Sequence, residues 1–425
     1  MKKNPRMEAR GPYDLIVIGG GAAGFFGAIN VAAKNPNLDI LIVEKTNKLL
    51  AKVRVSGGGR CNVAHDCPGP GPLSRHYPRG QKALKKLFTR FQAGDVVEWF
   101  AQRGVKLKTE GDGRMFPVTD RSGTIVNCFL SEAERLGIQI EIGLEVVSAR
   151  KGLEGFALET SGHQTLVAKK ILVAIGGHAR PSRYEWIKGL GHGISRPIPS
   201  LFTFNDTARQ FADLMGVSVP TAQVHIMGTS FREKGPVLVT HWGLSGPAVI
   251  KLSAWAAGYL FDRNYDFVVL VNWTGEAKEG DARACLVGHG QLRPKQKVAG
   301  QPLYGLPLRL WARLCKLSGI DEDKIWSGIS TKQRNKLVEN LVRCPFHIKG
   351  KTTFKEEFVT CGGVGLEGLD LATMESRMVK GMYFAGEVLD IDGETGGFNF
   401  QAAWTTAYVA ACSIADGETK ETKAL

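Results

Sequence analysis

No two cysteines in this chain are spaced Cys-x-x-Cys, and no histidines pair at metal-ligand spacing. The eight cysteines are scattered irregularly. That excludes a zinc site of the finger or ribbon kind and fits thiols kept reduced in the cytoplasm. Long apolar runs are missing as well: none approaches the ~18–20 residues a membrane helix needs. Met1 to Arg10 is polar and lacks the apolar centre of an export signal. The expectation is a cytoplasmic protein with neither membrane nor metal as partner. Acidic side chains are also in short supply, 41 against 55 Lys and Arg, for a net charge of +14. The shortage is local. Residues 282–355 hold fifteen Lys and Arg and four Asp and Glu, a surplus of +11. Such a block either meets a polyanion or is a solvated, solubilising face.

What is present first is alternation. Asp14 to Ile18 is a short apolar run ending in glycines, Ala22 to Lys34 has helical texture, and Ile40 to Val43 is a second buried strand. Strand, glycine turn, helix and strand make a βαβ unit. Residues 66–81 are rich in Pro and Gly and read as an exposed loop. Ala93 to Gly104 and Ser122 to Gly137 read as helices. Ile138 to Ile142 and Glu145 to Ala149 read as strands, Phe156 to Thr160 with Thr165 to Ala168 as a small hairpin, and Ile171 to Ile175 as a buried strand. After Arg196, prolines punctuate short β-like runs. Leu306 to Leu317 is amphipathic, and Ser330 to Gln333 fits a capping box ahead of another helix. From about Thr352 the first texture returns, with Met382 to Ala385 again a buried strand. The chain therefore reads as α/β: a domain of 11–196 with 352–415, interrupted by a β-rich insert of 197–272 with 344–351 and a basic helical part of 273–343.

Gly19, Gly21 and Gly24 form Gly-x-Gly-x-x-Gly between the first strand and helix. These glycines permit a tight turn, close approach of backbone to a pyrophosphate, and helix-on-strand packing. The helix N-terminus beyond them favours the anion. Glu44 ends the next strand, 20 residues past Gly24, and suits the hydroxyls of an unphosphorylated ribose. No second fingerprint of this kind follows a strand, so a dedicated nicotinamide domain is not expected. Near the other end, Gly381-Met382-Tyr383-Phe384-Ala385-Gly386-Glu387 is an apolar strand running into Gly-acid. It resembles the strand by which FAD proteins related to glutathione reductase deliver an acid to the flavin, usually Asp, with Glu387 here and Asp390 near enough to share the role. Gly396-Gly397-Phe398-Asn399 opens a helix from Phe400 to Ala411 whose N–H groups suit negative charge on a reduced flavin ring.

The most specific run is Ser56-Gly57-Gly58-Gly59-Arg60-Cys61-Asn62 after the βαβ unit. With Gly113-Arg114-Met115-Phe116-Pro117, Thr240-His241-Trp242-Gly243-Leu244-Ser245-Gly246-Pro247 and Phe384 to Asp390, it resembles the YhiN/BaiN-type (BaiN/RdsA) flavoprotein family from about Tyr13 to Ala411. The family usually has Gly-Gly-Tyr-Asn where this chain has Phe398. The resemblance implies a glutathione-reductase-type FAD domain of Rossmann-like fold, an inserted β-rich domain and a small helical one. It implies FAD as cofactor, with NADH or NADPH as a transient reductant. The candidate FAD contacts are Gly19, Gly21, Ala22, Ala23, Gly24, Glu44, Lys45, Lys52, Ser56, Gly57, Gly58, Arg60, Asn62, Val146, Ala174, Gly176, Gly386, Glu387, Gly396, Gly397, Phe398 and Asn399. Members of the family reduce activated carbon–carbon double bonds, including uridine in ribosomal RNA, and some are associated with amine oxidation. Ribosomal RNA or its precursor is thus the expected partner, and a small-molecule substrate the alternative.

Two side chains are candidate proton donors. His241 has a suitable intrinsic pKa, or else merely orders its glycine loop. Cys61 beside Arg60 either has a lowered pKa or is a small residue packed against the flavin. On the basic block, Lys332, Arg334 and Lys336 are the candidate RNA contacts, Lys332 and Lys336 sharing a helix face. Tyr304, Trp311 and Trp326 are the aromatics nearby that could stack on bases, although Trp311 also fits the apolar side of its helix.

Overall fold

The computed structural model describes residues 12–352 and 359–421. Two compact units divide the chain, one of Met1–Pro199 with Val359–Leu425 and one of Ser200–Phe358.

The first unit is built on a parallel sheet. Tyr13–Ile18 pairs with Ile40–Glu44 on one side and Thr165–Val173 on the other; Gln139–Ile142 and Met382–Phe384 extend it outward. Leu15, Ile16, Val17, Leu41, Ile42, Ile171, Leu172 and Val173 are fully or almost fully buried, as strands covered on both faces must be. Helices Ala22–Lys34 and Phe398–Glu421 pack against each other beside this sheet. The first turn needs glycine for steric reasons: a Cβ on Gly24 would lie 1.9 Å from the Gly19 carbonyl oxygen, and one on Gly19 2.3 Å from that of Ala174.

The hairpin and the buried strand expected separately at 165–175 are one strand. Thr165–Val173 pairs antiparallel with Phe156–Thr160 over its first half and parallel with Tyr13–Ile18 over much of its length. Lys169 and Lys170 interrupt its apolar run, which is why the sequence reads as two pieces. Nor is 66–81 an exposed loop. Pro70–Ser74 is a short helix with prolines in its first turn, and Leu73, Ser74 and Tyr77 are buried. Helices at Ala51–Gly59 and Gln81–Leu87 add to those expected from the sequence.

The chain leaves this unit through Ile194–Ser200 and re-enters it through Val359–Val364, two strands that pair with each other. Met382 then registers against Ile171 in the sheet that the first half began.

The second unit is a closed six-stranded barrel, ordered Thr203–Asp206, Gly243–Ser245, Arg232–Val239, Ser218–Ile226, Asp266–Asn272 and Cys344–Thr352. Inward residues alternate along each strand, as in Phe267, Val269 and Val271. Helices Glu279–Leu292, Leu308–Leu317 and Thr331–Val342 share one apolar core with the barrel through Leu286, Leu310, Leu314, Leu337 and Leu341. Helices also occur earlier, at Pro247–Trp255 and Ala257–Asp262, within the stretch expected to be β-rich. Gly246, at φ 96°, followed by Pro247 at the first helical position, is a helix start hidden inside a glycine-rich motif.

Candidate functional site

All of the residues assigned to FAD lie in the first unit, and hydrogen bonds tie the segments that carry them together. Helix Ala22–Lys34 starts after Gly21 without a side-chain cap, so its first N–H groups have no side-chain acceptor. A Cβ on Gly21 would meet nothing within 4 Å. This is an open anion cradle at a helix N-terminus. Glu44 lies beside it. Its Oε2 accepts from the Gly20 N–H at 2.9 Å, and its Oε1 from the Thr46 N–H and hydroxyl, each at 2.9 Å. A carboxylate offers about four acceptor sites, so capacity remains for a ribose.

Gly386 stands so close to the first helix that a Cβ there would lie 2.7 Å from the Ala23 Cβ, and its N–H donates to the Thr406 hydroxyl. Glu387 accepts from Lys52 Nζ at 2.7 Å and from the Thr360 N–H at 3.0 Å. Thr360 lies outside every motif of the sequence; its hydroxyl oxygen is buried without a hydrogen-bond partner among the described residues. Lys45 Nζ lies 3.1 Å from His178 Nε2. Burial, then the charge of Arg183, lowers the Lys45 pKa. Burial, then Lys45 and Lys52, pushes His178 down to about 4, so that ring is neutral at pH 7. Cations gathered at Lys45, Lys52 and Arg183 suit an anionic ligand. His178, like Thr360, has no motif to mark it. Ala174, Gly176 and Val146 supply backbone and apolar wall: Ala174 N–H donates to the Ile18 carbonyl, Gly176 is open at φ 75°, and Val146 is 8% exposed.

The run from Ser56 leaves the helix abruptly. Ser56 is extended, Gly57 and Gly58 are left-handed, and the Ser56 carbonyl accepts from the Cys61 N–H. Arg60 is held by Glu110 at 2.6 Å and Asp120 at 3.5 Å, its guanidinium 3.9 Å from the centre of the Phe116 ring. It therefore braces the turn from outside, against the neighbouring motif. Asn62 is 8% exposed and its Oδ1 is buried without a hydrogen-bond partner among the described residues. The lowered thiol pKa expected for Cys61 is not found. Cys61 is fully buried, and that burial pushes its thiol up to about 12, while Arg60 is committed to carboxylates. Cys61 and Cys67 are both free thiols.

At the other side of this turn, the Trp404 Nε1–H donates to the Val63 carbonyl and the Tyr77 hydroxyl to that of Phe398. The helix expected from Phe400 begins at Phe398 and runs to Glu421. Asn399 is committed to its own loop, its Oδ1 accepting from the Gly393 N–H and its Nδ2 donating to the Gly393 carbonyl. A Cβ on Gly397 would lie 2.9 Å from Asn62 Oδ1, so the two glycine-rich turns meet there. The open cradle at Gly21 and the unpaired buried Asn62 Oδ1 are features a bound flavin dinucleotide would satisfy.

Residues 13–413 match the family described as HI0933-like protein Rossmann domain. The chain belongs to the HI0933-like family. This is the YhiN/BaiN group that the motifs resemble. The family makes the chain an FAD-dependent oxidoreductase on a Rossmann-type fold. The ribosomal RNA dihydrouridine synthase of Escherichia coli (strain K12) is 30% identical over 409 residues, covering 94% of this chain and 97% of that protein. The 3-dehydro-bile acid delta(4,6)-reductase of Clostridium scindens is 27% identical over 409 residues, covering 94% and 98%. Among solved structures, the 3-ketosteroid delta1-dehydrogenase of Sterolibacterium denitrificans has a similar fold, with a TM-score of 0.52 at 13% identity over 96% of this chain and 100% of that one.

His241, Lys332, Arg334 and Lys336 belong to the second unit. His241 is exposed, its ring 4.1 Å from that of Trp242 and tilted edge-on. The capping box is present: Ser330 Oγ accepts from the Gln333 N–H, and Gln333 Oε1 from the Ser330 N–H. Lys332 and Lys336 are exposed on the helix it opens. Lys336 pairs with Glu339 at 2.9 Å; Lys332 and Arg334 form no ion pair among the described residues. Trp311 is core, its Nε1–H donating to the Val298 carbonyl, and Trp326 is 5% exposed. Of the three aromatics considered for base stacking, Tyr304 alone is exposed, at 38%. Among the described residues no cluster of His, Cys, Asp and Glu is arranged to hold a metal, and no helix is long and apolar enough to cross a membrane.

Proposed function

We propose that the protein reduces an activated carbon–carbon double bond, with uridine in ribosomal RNA as substrate and NADH or NADPH as the reductant. The observation that carries this reading is the likeness to ribosomal RNA dihydrouridine synthase along almost the whole of both chains. The basic surplus in 282–355, with Lys332 and Arg334 in no ion pair among the described residues, supports a polyanionic partner.

Bound FAD supplies hydride transfer to the double bond. The chain binds and orients it. Gly21 and the N–H groups of Ala22 and Ala23 would hold the pyrophosphate, Glu44 a ribose, and Glu387 with Lys52 the ribityl side. The backbone of Gly57 and Gly58, with Asn62, Gly396 and Gly397, would hold the ring system. An extruded base would enter beside these turns. On the second unit, taken by itself, Lys332, Arg334 and Lys336 would attract phosphates without reading sequence.

Nucleoside mass spectrometry of ribosomal RNA from a strain lacking the gene tests the reading. It predicts loss of dihydrouridine at one or more positions; an unchanged content would remove uridine as substrate. The likeness to a bile-acid reductase favours a second reading, in which a steroid-like enone takes the place of the base. Oxidation of a small amine is a further small-molecule alternative within the same family.

A further inference from the structure

Phe398 packs against two imidazoles. Its ring stacks on His76 with centroids 4.2 Å apart and planes 11° apart, and on His65 at 4.6 Å and 26°. Each histidine is tied through Nδ1 to the loop that leads into Gly396 and Gly397. His65 Nδ1 lies 3.0 Å from the Gly396 carbonyl oxygen, and His76 Nδ1 lies 3.1 Å from Glu394 Oε2. Glu394 is 8% exposed, and its own N–H donates to the His76 carbonyl.

The two histidines are not equivalent. His65 sits on strand Ala64–His65, paired to Arg114, and Gly113 packs so closely that a Cβ there would lie 2.6 Å from His65 Nε2. The Gly113–Pro117 motif thus walls off that ring. His76 is 32% exposed, and its Nε2 has no hydrogen bond among the described residues. A carboxylate only accepts, so Glu394 places a proton on Nδ1 and fixes the ring. A buried carboxylate, an oriented imidazole and a free second nitrogen are the parts of a general acid.

We propose that His76, positioned by Glu394, is the proton donor of the reduction. This rests on the double-bond reading above. In the step, the π bond breaks and one carbon takes hydride, which originates in the reduced nicotinamide. The other carbon takes the proton from His76 Nε2, and the neutral ring is reprotonated from solvent through its exposed side. Among the described residues, the charged and titratable groups shown against His76 are Glu394 and His65, with ring centroids of the two histidines 6.1 Å apart. Glu394 alone among them is within hydrogen-bond distance of it.

Two variants test the assignment. With FAD content matched to wild type, H76Q should slow oxidation of the reduced protein by uridine-containing ribosomal RNA fragments by ~10²–10⁴-fold in single-turnover kinetics. E394Q should slow the same step, and E394D should recover part of the loss. A readout free of turnover is nuclear magnetic resonance of histidine-labelled protein. The resonance lost in H76Q should move in E394Q, because the carboxylate that holds its Nδ1 proton is gone. Full-rate oxidation of H76Q, loss of rate in H241N instead, or an unmoved resonance in E394Q would each overturn the assignment. A wild type that RNA does not oxidise defeats the uridine reading instead, and the same variants are then compared with a steroid-like enone.

Discussion

His178 owes its lowered pKa to burial first and to two lysines second, and this has a consequence for stability. The unfolded ring binds a proton near pH 6.5, the folded ring only near 4. Between those values the unfolded state holds more protons, so stability present above pH 6.5 is lost as pH falls toward 4. A shift of that size is worth at most about 3 kcal/mol, reduced by partial exposure. Denaturant titrations from pH 7 to 4 should show this slope, and H178Q should flatten it; an equal slope in both proteins would contradict the assignment. The thiols make a second prediction. Cys285 is exposed and Cys61 fully buried with its pKa at about 12, so alkylation of the native protein at pH 8 should mark Cys285 and spare Cys61. Peptide mapping that finds Cys61 labelled first would refute the buried turn. Gly21 offers the cleanest test of the cradle. Its φ of −95° and open surroundings accept a side chain, so G21D should fold normally. Its carboxylate would repel the pyrophosphate, and FAD should be lost on purification.

At the scale of elements, one buried ion pair pins the loop at 66–81 to the C-terminal segment: Arg79 meets both oxygens of Asp392, whose side chain is wholly buried. R79M would strand that carboxylate, at a cost of about 3–5 kcal/mol. Denaturant unfolding measures it; a loss below about 1 kcal/mol would mean that water reaches Asp392. The pair also shows where sequence reading stops. The βαβ unit and the capping box at Ser330 are local, since strand, turn and cap are each specified by neighbours within a few residues. The segment at 66–81 looks like a surface loop because its composition is that of one; Tyr77 is buried and Arg79 half-buried through partners more than 300 positions away. The same holds inside the site. Gly19 to Gly24 and Ser56 to Asn62 announce themselves by spacing. Thr360, His178 and His76 acquire their roles only from what Glu387, Lys45 and Glu394 bring to them, and no short motif encodes that.

At the scale of the molecule, the return of the chain to its first sheet was legible because apolar βα texture stops and resumes, and Met382 does register on Ile171. The basic surplus was equally plain, but its meaning was not, because composition does not say which charges are neutralised within the fold. Lys297 is paired to Asp323, Arg313 to Asp213 and Arg343 to Glu279, whereas Lys332 and Arg334 form no ion pair among the described residues. K332E/K336E should therefore weaken RNA binding and lower its salt slope by roughly one for each phosphate left without its cation. Filter binding across a salt series measures this, and unaltered affinity would assign the charge to solubility. The central claim, reduction of uridine in ribosomal RNA, is tested most directly by reconstitution. Purified protein, FAD, reduced nicotinamide and ribosomal RNA from a strain lacking the gene are combined without oxygen, and dihydrouridine is counted against nicotinamide oxidised. The account predicts equal amounts of the two. Nicotinamide oxidised with no dihydrouridine formed, alongside reduction of an added steroid enone, would contradict it.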